Sequence, residues 1–494
     1  AVTVAGKLSG GNRAATDNVL DIRSKGASAG TLENFSRIKF NLGANVADGD
    51  TVLTLTRDTA LSYSTVEKPV GTSVSAWLGN AMEKNVHLLQ MAGGRKLTLN
   101  GYNPATGSER EGDAEYSLVT DNNAAVTTAG GSLDLSAYKW QNADVEVNSG
   151  AHADVFGGKT VYGTAGETKH NKLTLKTGAS VTSAIAGDTQ TNDGTAEDNT
   201  LTVQDGTATN AYGAKTKAGK AVRNKVFVSG GTVTNLKGAE SLSGVAEENR
   251  VEINGGSVTN ATGAETLAGD ATKNSAVLTA GTITGSLKAA KSAGKASKNN
   301  VEVKGGNISG ARVFGAESQG NAEENTVTVT NTPTANAATE ITGGYSTGGD
   351  AVGNIVNVNA NVTGDIYGGR AANASRNNIV NIADGITVTG NVFGGSCITA
   401  EGNIVNIGRG ATVAGDVVAG NATGSNRNNI INLTGARVTG TIKGGSGTDD
   451  RDNTLAIHHD PDKTSYAGDF TGIKNLHFYL GESVSTETPT LLQL

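Results

Sequence analysis

Residues whose side chains could bind a metal are few in this sequence, and the clearest cluster is HHDPD at 458–462. Two histidines and two aspartates are suitable metal ligands. Adjacent residues of a strand point to opposite faces, however, and a proline lies inside the group. We therefore favour an exposed turn over a metal site, and the sequence predicts no bound metal and no cofactor.

Carboxylates, the groups that a polysaccharide-cleaving site needs close together, are spread along the chain rather than clustered. Several of them precede an asparagine that recurs through the sequence, and we interpret these as a charged corner and not as a catalytic group. A G-D-S-G nucleophile motif does not occur in the sequence, and no tandem G-G-x-G-x-D calcium repeat is present, since GGSGTD at 444–449 occurs only once. We expect a protein that is not an enzyme, with a polysaccharide-active enzyme as the less favoured alternative.

Two further features could carry function. Cys397, in GGSCITA, is the single cysteine and could form an intermolecular disulfide, although a small half-buried side chain is the commoner role. The lysine-rich run from Lys288 to Lys304 could contact an anionic polysaccharide or lipid. We favour a solvated face for this run.

Composition limits the class of protein that positions these residues. The 494 residues include 69 Gly and only 5 Pro, aromatic residues make up 4%, and the net charge is −7. Frequent glycine without a Gly-X-Y period excludes collagen and fits many tight turns. A mildly acidic chain does not favour a nucleic-acid partner, and no apolar run is long enough for a membrane-spanning helix.

An internal repeat decides the predicted architecture. The pattern Asn-x-apolar-x-apolar returns every 24 to 29 residues. We place the repeated asparagine at Asn171, Asn199, Asn224, Asn249, Asn274 (one residue out of phase), Asn300, Asn325, Asn354, Asn378, Asn403, Asn429 and Asn453. Each copy continues with a short strand, a glycine corner, a second strand of the V-T-G type and a G-G or G-A corner. This order leaves no room for a helix.

The repeat predicts an all-β, right-handed parallel β-helix with coils of about 25 residues, in which each coil buries its apolar face against its neighbours. The alternation places a set of apolar residues on or near the inner face: Leu173, Leu175, Val226, Val228, Val251, Ile253, Val327, Val329, Ile404 and Ile407. We expect the asparagines to stack at one corner as a hydrogen-bonded ladder. Asparagine also tolerates the left-handed conformation that a sharp corner needs.

Charged residues before these asparagines mostly change sign from one coil to the next. The series is Glu197-Asp198, Arg223, Glu247-Glu248, Lys273, Lys298, Glu323-Glu324, Gly353, Arg376, Glu401, Arg427 and Asp452. Opposite charges on neighbouring strands favour one register. A solvated corner with signs set by chance is the alternative.

The two ends of the chain resemble each other. Residues 473–494 match residues 35–55 with one residue inserted, and DNTLAI at 452–457 matches DNVLDI at 17–22. We divide the chain into 1–55, closing coils of a β-helix array that copy 436–494, then 56–140, irregular coils with a protruding loop at 103–113, and 141–494, regular coils.

The asparagine-led coils that end in Y-G-G or F-G-G, at Phe156, Tyr367 and Phe393, and the closing segment IKNLHFYL resemble passenger domains of large repeat-rich Gram-negative autotransporters (type V secretion). The resemblance covers most of the chain from 130 onward and 1–55. It implies a β-helical rod at the extracellular surface of a Gram-negative cell, often serving adhesion or aggregation. The sequence departs from the family in lacking the translocator barrel that would be its one membrane contact.

Two functions remain. The first is an adhesin or self-aggregating rod, whose partners are host or bacterial surface molecules or a second copy of itself. The second is a subunit of an extracellular filament that assembles head to tail, because an open β-helix has unpaired strand edges at its ends.

Overall fold

A computed structural model describes residues 2–11, 19–35, 37–40, 50–62, 87–92, 95, 97–100, 116–119, 125–129, 132–134, 139–141, 144–147, 150–160, 166–330, 338–481 and 490–494. These residues form β-strands joined by turns, with no helix among them. The chain divides into two compact units, one of residues 1–234 with 239–241 and one of residues 235–238 with 242–494.

Strands in the first half of the chain become regular only after residue 150. As far as residue 241 they are Thr3–Ser9, Val19–Ile22, Ala27–Glu33, Arg37–Phe40, Thr51–Leu55, Thr59–Ser62, His87–Met91, Leu97–Asn100, Tyr116–Val119, Ala125–Ala129, Ser132–Asp134, Lys139–Gln141, Asp144–Val147, Gly150–Thr160, Glu167–Lys169, Lys172–Leu175, Ala179–Thr189, Thr195–Glu197, Thr200–Val203, Thr207–Thr216, Lys220–Val222, Lys225–Val228 and Thr232–Ser241.

Strands in the second half repeat the same order of short elements. They are Ala246–Glu247, Arg250–Thr266, Ala271–Thr272, Ser275–Ser292, Ala296–Ser297, Asn300–Val303, Arg312–Ser318, Ala322–Glu323, Thr326–Val329, Glu340–Ser346, Ala351–Val352, Ile355–Val358, Asp365–Ala371, Ala374–Arg376, Ile379–Ile382, Thr387–Val388, Val392–Glu401, Ile404–Ile407, Thr412–Val413, Val417–Arg427, Ile430–Thr434, Arg437–Gly445, Asp449–Arg451, Thr454–His458, Ser465–Thr471, Asn475–Tyr479 and Leu492–Gln493.

Each regular coil is built from strands that pair in parallel with the same strands of the next coil. Val380, for example, lies beside Val405, which lies beside Ile431, and all three are fully buried. Alternation of buried and half-exposed residues along each strand fills the narrow interior with aliphatic side chains. At about 1.5–3 kcal/mol for each buried aliphatic side chain, this stacking is the main stabilising contribution. The predicted all-β parallel β-helix is confirmed.

The predicted inner face is correct at nine of its ten positions and wrong at Ile404. Ile404 is half-exposed on the outer face, and Val405 takes the inner position. The error is a shift of one residue, because in the Asn-x-apolar-x-apolar pattern led by Asn403 the first inner position is Val405 and not Ile404. Val251 lies beside Ala276 in the paired strands. The coil led by Asn274 is therefore in phase with its neighbours, contrary to our expectation.

Some strands between residues 56 and 140 depart from the parallel pattern. His87–Met91 pairs in parallel with Thr51–Leu55, yet it pairs antiparallel with Ala125–Ala129. Tyr116–Val119 also pairs antiparallel, with Asp144–Val147. The loop expected at 103–113 lies outside the described residues, and the domain boundaries at 55 and 140 stay predictions.

The resemblance between the chain's two ends extends to strand register. Ala27 lies beside Leu53 and Ser28 beside Thr54, and in the same way Ser465 lies beside Leu492 and Tyr466 beside Gln493. Asn34 and Gly472, which align in these two copies, both have positive φ, 59° and 62°. The copies therefore form the same local structure.

Candidate functional site

The repeated asparagines form hydrogen-bonded ladders in the interior of each unit. In the ladder, each side-chain Nδ2 donates to the Oδ1 of the next asparagine over 2.8–3.1 Å, and the backbone N–H donates to the same Oδ1 over 2.9–3.1 Å. One ladder links Asn171, Asn199 and Asn224, and the other links Asn249, Asn274, Asn299, Asn325, Asn354, Asn378, Asn403, Asn429 and Asn453. Every asparagine in this set except Asn299 is 0% exposed.

Asn300 was predicted as a ladder residue, and this prediction is wrong. The ladder runs through Asn299, which donates to Asn325 and accepts from Asn274. Asn300 is instead the half-exposed first residue of a strand, and its side chain donates to Glu302. The doubled asparagine explains the error, because only Asn299 keeps the Asn-x-apolar-x-apolar spacing to Val301.

A second expectation about the corner is also corrected. The left-handed conformation belongs to the residue before the ladder asparagine, not to the asparagine itself. Positive φ occurs there throughout: His170, Asp198, Arg223, Glu248, Lys273, Lys298, Glu324, Gly353, Asn377, Gly402, Asn428 and Asp452. Most of these residues are not glycine, and a left-handed backbone conformation costs a non-glycine residue about 1–3 kcal/mol of strain. The packing of the stacked coils must offset this strain.

Paired glycines near residue 344 make room for the ladder. A Cβ on Gly344 would lie 2.5 Å from the amide of Asn354, and one on Gly369 would lie 2.5 Å from the amide of Asn378. This contact explains why Y-G-G and F-G-G recur in this part of the chain. Glycine is required only in this part of the chain, because one coil earlier Ala316 occupies the register position of Gly344.

Charged corner residues pair between coils, as predicted. Arg223 bridges Glu197 and Asp198, and Lys273 lies 3.0 Å from Glu247 and 3.2 Å from Glu248. Burial tends to raise the pKa of Glu197, but hydrogen bonds from Lys169 and Arg223 outweigh it and hold that pKa below its ordinary value. These exposed pairs contribute little each and favour one register.

The lysine-rich run is paired with glutamates instead of being free for an anionic ligand. The pairs, in order, are Lys288–Glu317, Lys291–Glu265, Lys295–Glu323, Lys298–Glu324 and Lys304–Glu302. Four of these five glutamates come from neighbouring coils, so the run belongs to the same system of pairs between coils as the charged corner.

The HHDPD segment forms a turn held by an arginine. Asp460 accepts from Arg409 over 2.7 Å, and Asp462 contacts the same guanidinium. The Nε2 atom of His458 lies 3.3 Å from the Oδ1 atom of Asn432. The His458 ring stacks on Tyr479, with ring centroids 4.6 Å apart. Among the residues that the structure describes, no three His, Cys, Asp or Glu side chains are grouped so that they could hold a metal ion.

Cys397 is half-buried, and its Sγ lies 3.0 Å from the carbonyl oxygen of Thr399. Burial raises the pKa of the thiol to about 11. Thiolate is the reactive form of cysteine, so this environment opposes the disulfide considered above.

An aromatic and cationic stack lies on the strands that contain the paired glycines. Tyr367 and Phe393 stack with ring centroids 4.7 Å apart and an interplanar angle of 8°. The Arg370 guanidinium lies 5.2 Å from the Tyr345 ring and 5.5 Å from the Tyr367 ring. Each of these rings thus has an aromatic or cationic neighbour, and these contacts stabilise the stacked coils.

A second asparagine ladder, which the sequence analysis missed, lies on the outer face. Asn381 donates to Asn357 over 2.8 Å, Asn406 to Asn381 over 2.7 Å, and Asn432 to Asn406 over 2.7 Å. The signal is visible as the second asparagine of NIVNV, NIVNI and NIINL. It fixes a row of amides at the surface of four successive coils.

The last coil leaves apolar side chains exposed. Leu476 is 40% exposed and Phe478 is 47% exposed, although they pair in register with Leu455 and Ile457, which are fully buried. The aligned strand of the first copy is Arg37–Phe40, which pairs in parallel with Val19–Ile22 as Asn475–Tyr479 pairs with Thr454–His458.

The fold and these ladders define a parallel β-solenoid stabilised by stacked side chains. Comparison with protein-family models, with curated protein sequences and with solved structures finds no match to this chain. Among the described residues, no helix is both long and apolar enough to cross a membrane.

Proposed function

We propose that this chain is an adhesive rod on the surface of a Gram-negative cell, which works by binding without catalysis. The supporting observation is the regularity of its outer faces. Corner charges, lysine–glutamate pairs and outer asparagines all repeat along successive coils, and a repeating surface suits binding at many weak points.

The location and the mode of action rest on the resemblance to autotransporter passenger domains. In such a role the solenoid holds the adhesive faces away from the cell. The partner is a second copy of the chain or a surface molecule of another cell.

Surface display tests this proposal. A bacterial strain that does not aggregate by itself would carry residues 1–494 on a fused membrane anchor, and settling of the suspension and attachment to host cells would be measured. Faster settling or attachment than in a strain with the anchor alone is expected. A strain that neither clumps nor attaches would refute adhesion.

A head-to-tail filament is the second candidate, and the exposed apolar side chains of the last coil favour it. Leu476, Phe478 and Leu480 would be buried by the first coil of another copy, where Val4 and Leu8 are also only half-buried. Electron microscopy of concentrated purified protein checks this. Filaments would support it, and discrete particles of one size would exclude it.

A further inference from the structure

Four successive coils carry an uncharged outer face, which we call the Ile/Asn face. It consists of Ile355, Asn357, Ile379, Asn381, Ile404, Asn406, Ile430 and Asn432. In strand register the four isoleucines lie side by side, and so do the four asparagines. Earlier coils of the same unit carry Arg250, Glu252 and Glu302 at these register positions.

The positive-φ positions beside this face are uncharged as well. Here the positive-φ positions are filled by Gly353, Asn377, Gly402 and Asn428, whereas nearly all other corners of the regular coils carry a charge. Charged residues lie immediately beyond these positions, where Arg376 lies 2.7 Å from Asp350 and 3.8 Å from Glu401. An uncharged centre with a charged rim is the usual arrangement of a protein interface.

Side chains of the Ile/Asn face are held in place before any partner arrives. The amide ladder fixes Asn381 and Asn406 between their neighbours, and the isoleucines are half-buried against one another. Binding therefore costs little side-chain entropy. Strand spacing sets a repeat of about 4.8 Å along the face.

A partner that touches all four coils must present groups at the same repeat. Another β-solenoid does so by construction, and identical sheets with isoleucine and asparagine rows can interdigitate in a dry contact. No like charges oppose each other when two copies meet across this face. We propose that the Ile/Asn face is a self-association surface that binds the Ile/Asn face of a second copy of this chain in an isologous pair.

The size of the face makes a single pair weak. Four strands about 4.8 Å apart and about 13 Å long present roughly 250 Å², about a third of one side of a standard interface. Display of many copies on one surface converts weak pairs into firm attachment. The inference thus rests on the proposed adhesive function and names the surface that performs it.

Cysteine trapping tests the pairing in purified chains. In a Cys397→Ser background, Asn406→Cys places a thiol at the centre of the face, and Thr387→Cys places a control thiol on the exposed neighbouring strand. Copper–phenanthroline oxidises pairs of thiols that meet, and non-reducing gels measure the dimer. We expect faster dimer formation at Asn406→Cys, and equal rates at the two positions would overturn the proposal.

Charge exchange then separates self-pairing from any other contact. Asn381→Lys with Asn432→Lys, added to Asn406→Cys, should lower the dimer yield by about tenfold or more. The matching glutamate pair should do the same, and Glu252 and Glu302 show that these strand positions accept glutamate. Mixing lysine and glutamate chains should restore the dimer; a mixture that stays monomeric would overturn the proposal.

Failure of this inference is distinguishable from failure of the proposed function. If cells that display the lysine variant clump as much as cells that display the wild-type chain, the Ile/Asn face is not the contact surface. The proposed adhesive function would still stand. If cells that display the wild-type chain stay dispersed and unattached while trapping and charge exchange are positive, the proposed adhesive function is refuted. Pairing through the Ile/Asn face would still stand. Circular dichroism and thermal unfolding of each variant confirm that it is folded.

Discussion

The inner asparagine ladder predicts an unusually large cost for a small substitution at Asn354. Its Oδ1 accepts from the backbone N–H of Asn325 over 3.0 Å and from the Asn325 amide over 2.9 Å. Its Nδ2 donates to the carbonyl oxygen of Ala322 and to Asn378. Asn354→Ala removes all four bonds at a site that is 0% exposed.

The magnitude follows from the groups left without partners. Two donors of Asn325, one on the backbone and one on the side chain, lose their acceptor in a place that water does not reach. At about 1–3 kcal/mol for each orphaned buried group, and with partial relaxation of the coils, we expect a loss of about 3–5 kcal/mol.

Asn357→Ala is the matched control, because Asn357 lies on the outer face of the strand that directly follows Asn354. It donates to Thr328 over 3.4 Å and accepts from Asn381 over 2.8 Å, and water can replace both partners. We expect a loss of about 1 kcal/mol or less. Denaturant unfolding and hydrogen exchange of residues 325–380 measure both variants. Equal effects of the two substitutions would refute the buried-ladder argument.

Three further predictions concern other positions. Glu324→Gly should stabilise the chain by about 1 kcal/mol, because Glu324 has φ 53° where Gly353 and Gly402 serve in later coils; an unfolding midpoint that falls would contradict this. At Glu265, burial raises the pKa but hydrogen bonds from two lysines outweigh it, so the folded pKa lies below the ordinary 4.5. This lowered pKa stabilises the fold above the ordinary value, and the benefit is lost as the pH falls through the folded value. The stability difference between wild type and Glu265→Gln should therefore shrink as the pH falls from 7 to below the ordinary 4.5, and a constant difference would count against it. Cys397 should react with a disulfide reagent at pH 8 more slowly than a small free thiol, because its pKa is raised to about 11; rapid quantitative labelling would exclude this.

The sequence analysis predicted the fold because the repeat has a direct physical meaning. Coils of one length place like residues side by side, so the asparagine spacing indicated both the solenoid and its ladder. The prediction was wrong where adjacent similar residues allowed two alignments, as with Asn299 and Asn300. A shift of one residue reverses inside and outside in a strand, which is also why Ile404 was misplaced.

Other features could not be derived from spacing alone. Positive φ before the ladder residue falls on Arg223, Lys273 and Glu324, residue types that do not by themselves indicate a left-handed corner. The antiparallel pairing of His87–Met91 with Ala125–Ala129 joins segments without the repeated motif. The outer ladder was visible in NIVNI, but its meaning depends on which face each asparagine occupies.

Bead aggregation with the purified chain tests adhesion by self-association most directly, because no other protein is present. Microspheres coated at increasing density with residues 1–494 would be followed by light scattering, beside microspheres that carry the Asn381→Lys, Asn432→Lys variant. The account predicts clumping that rises steeply with coating density for the wild type and is much reduced for the variant. Wild-type beads that stay dispersed at every density would contradict it.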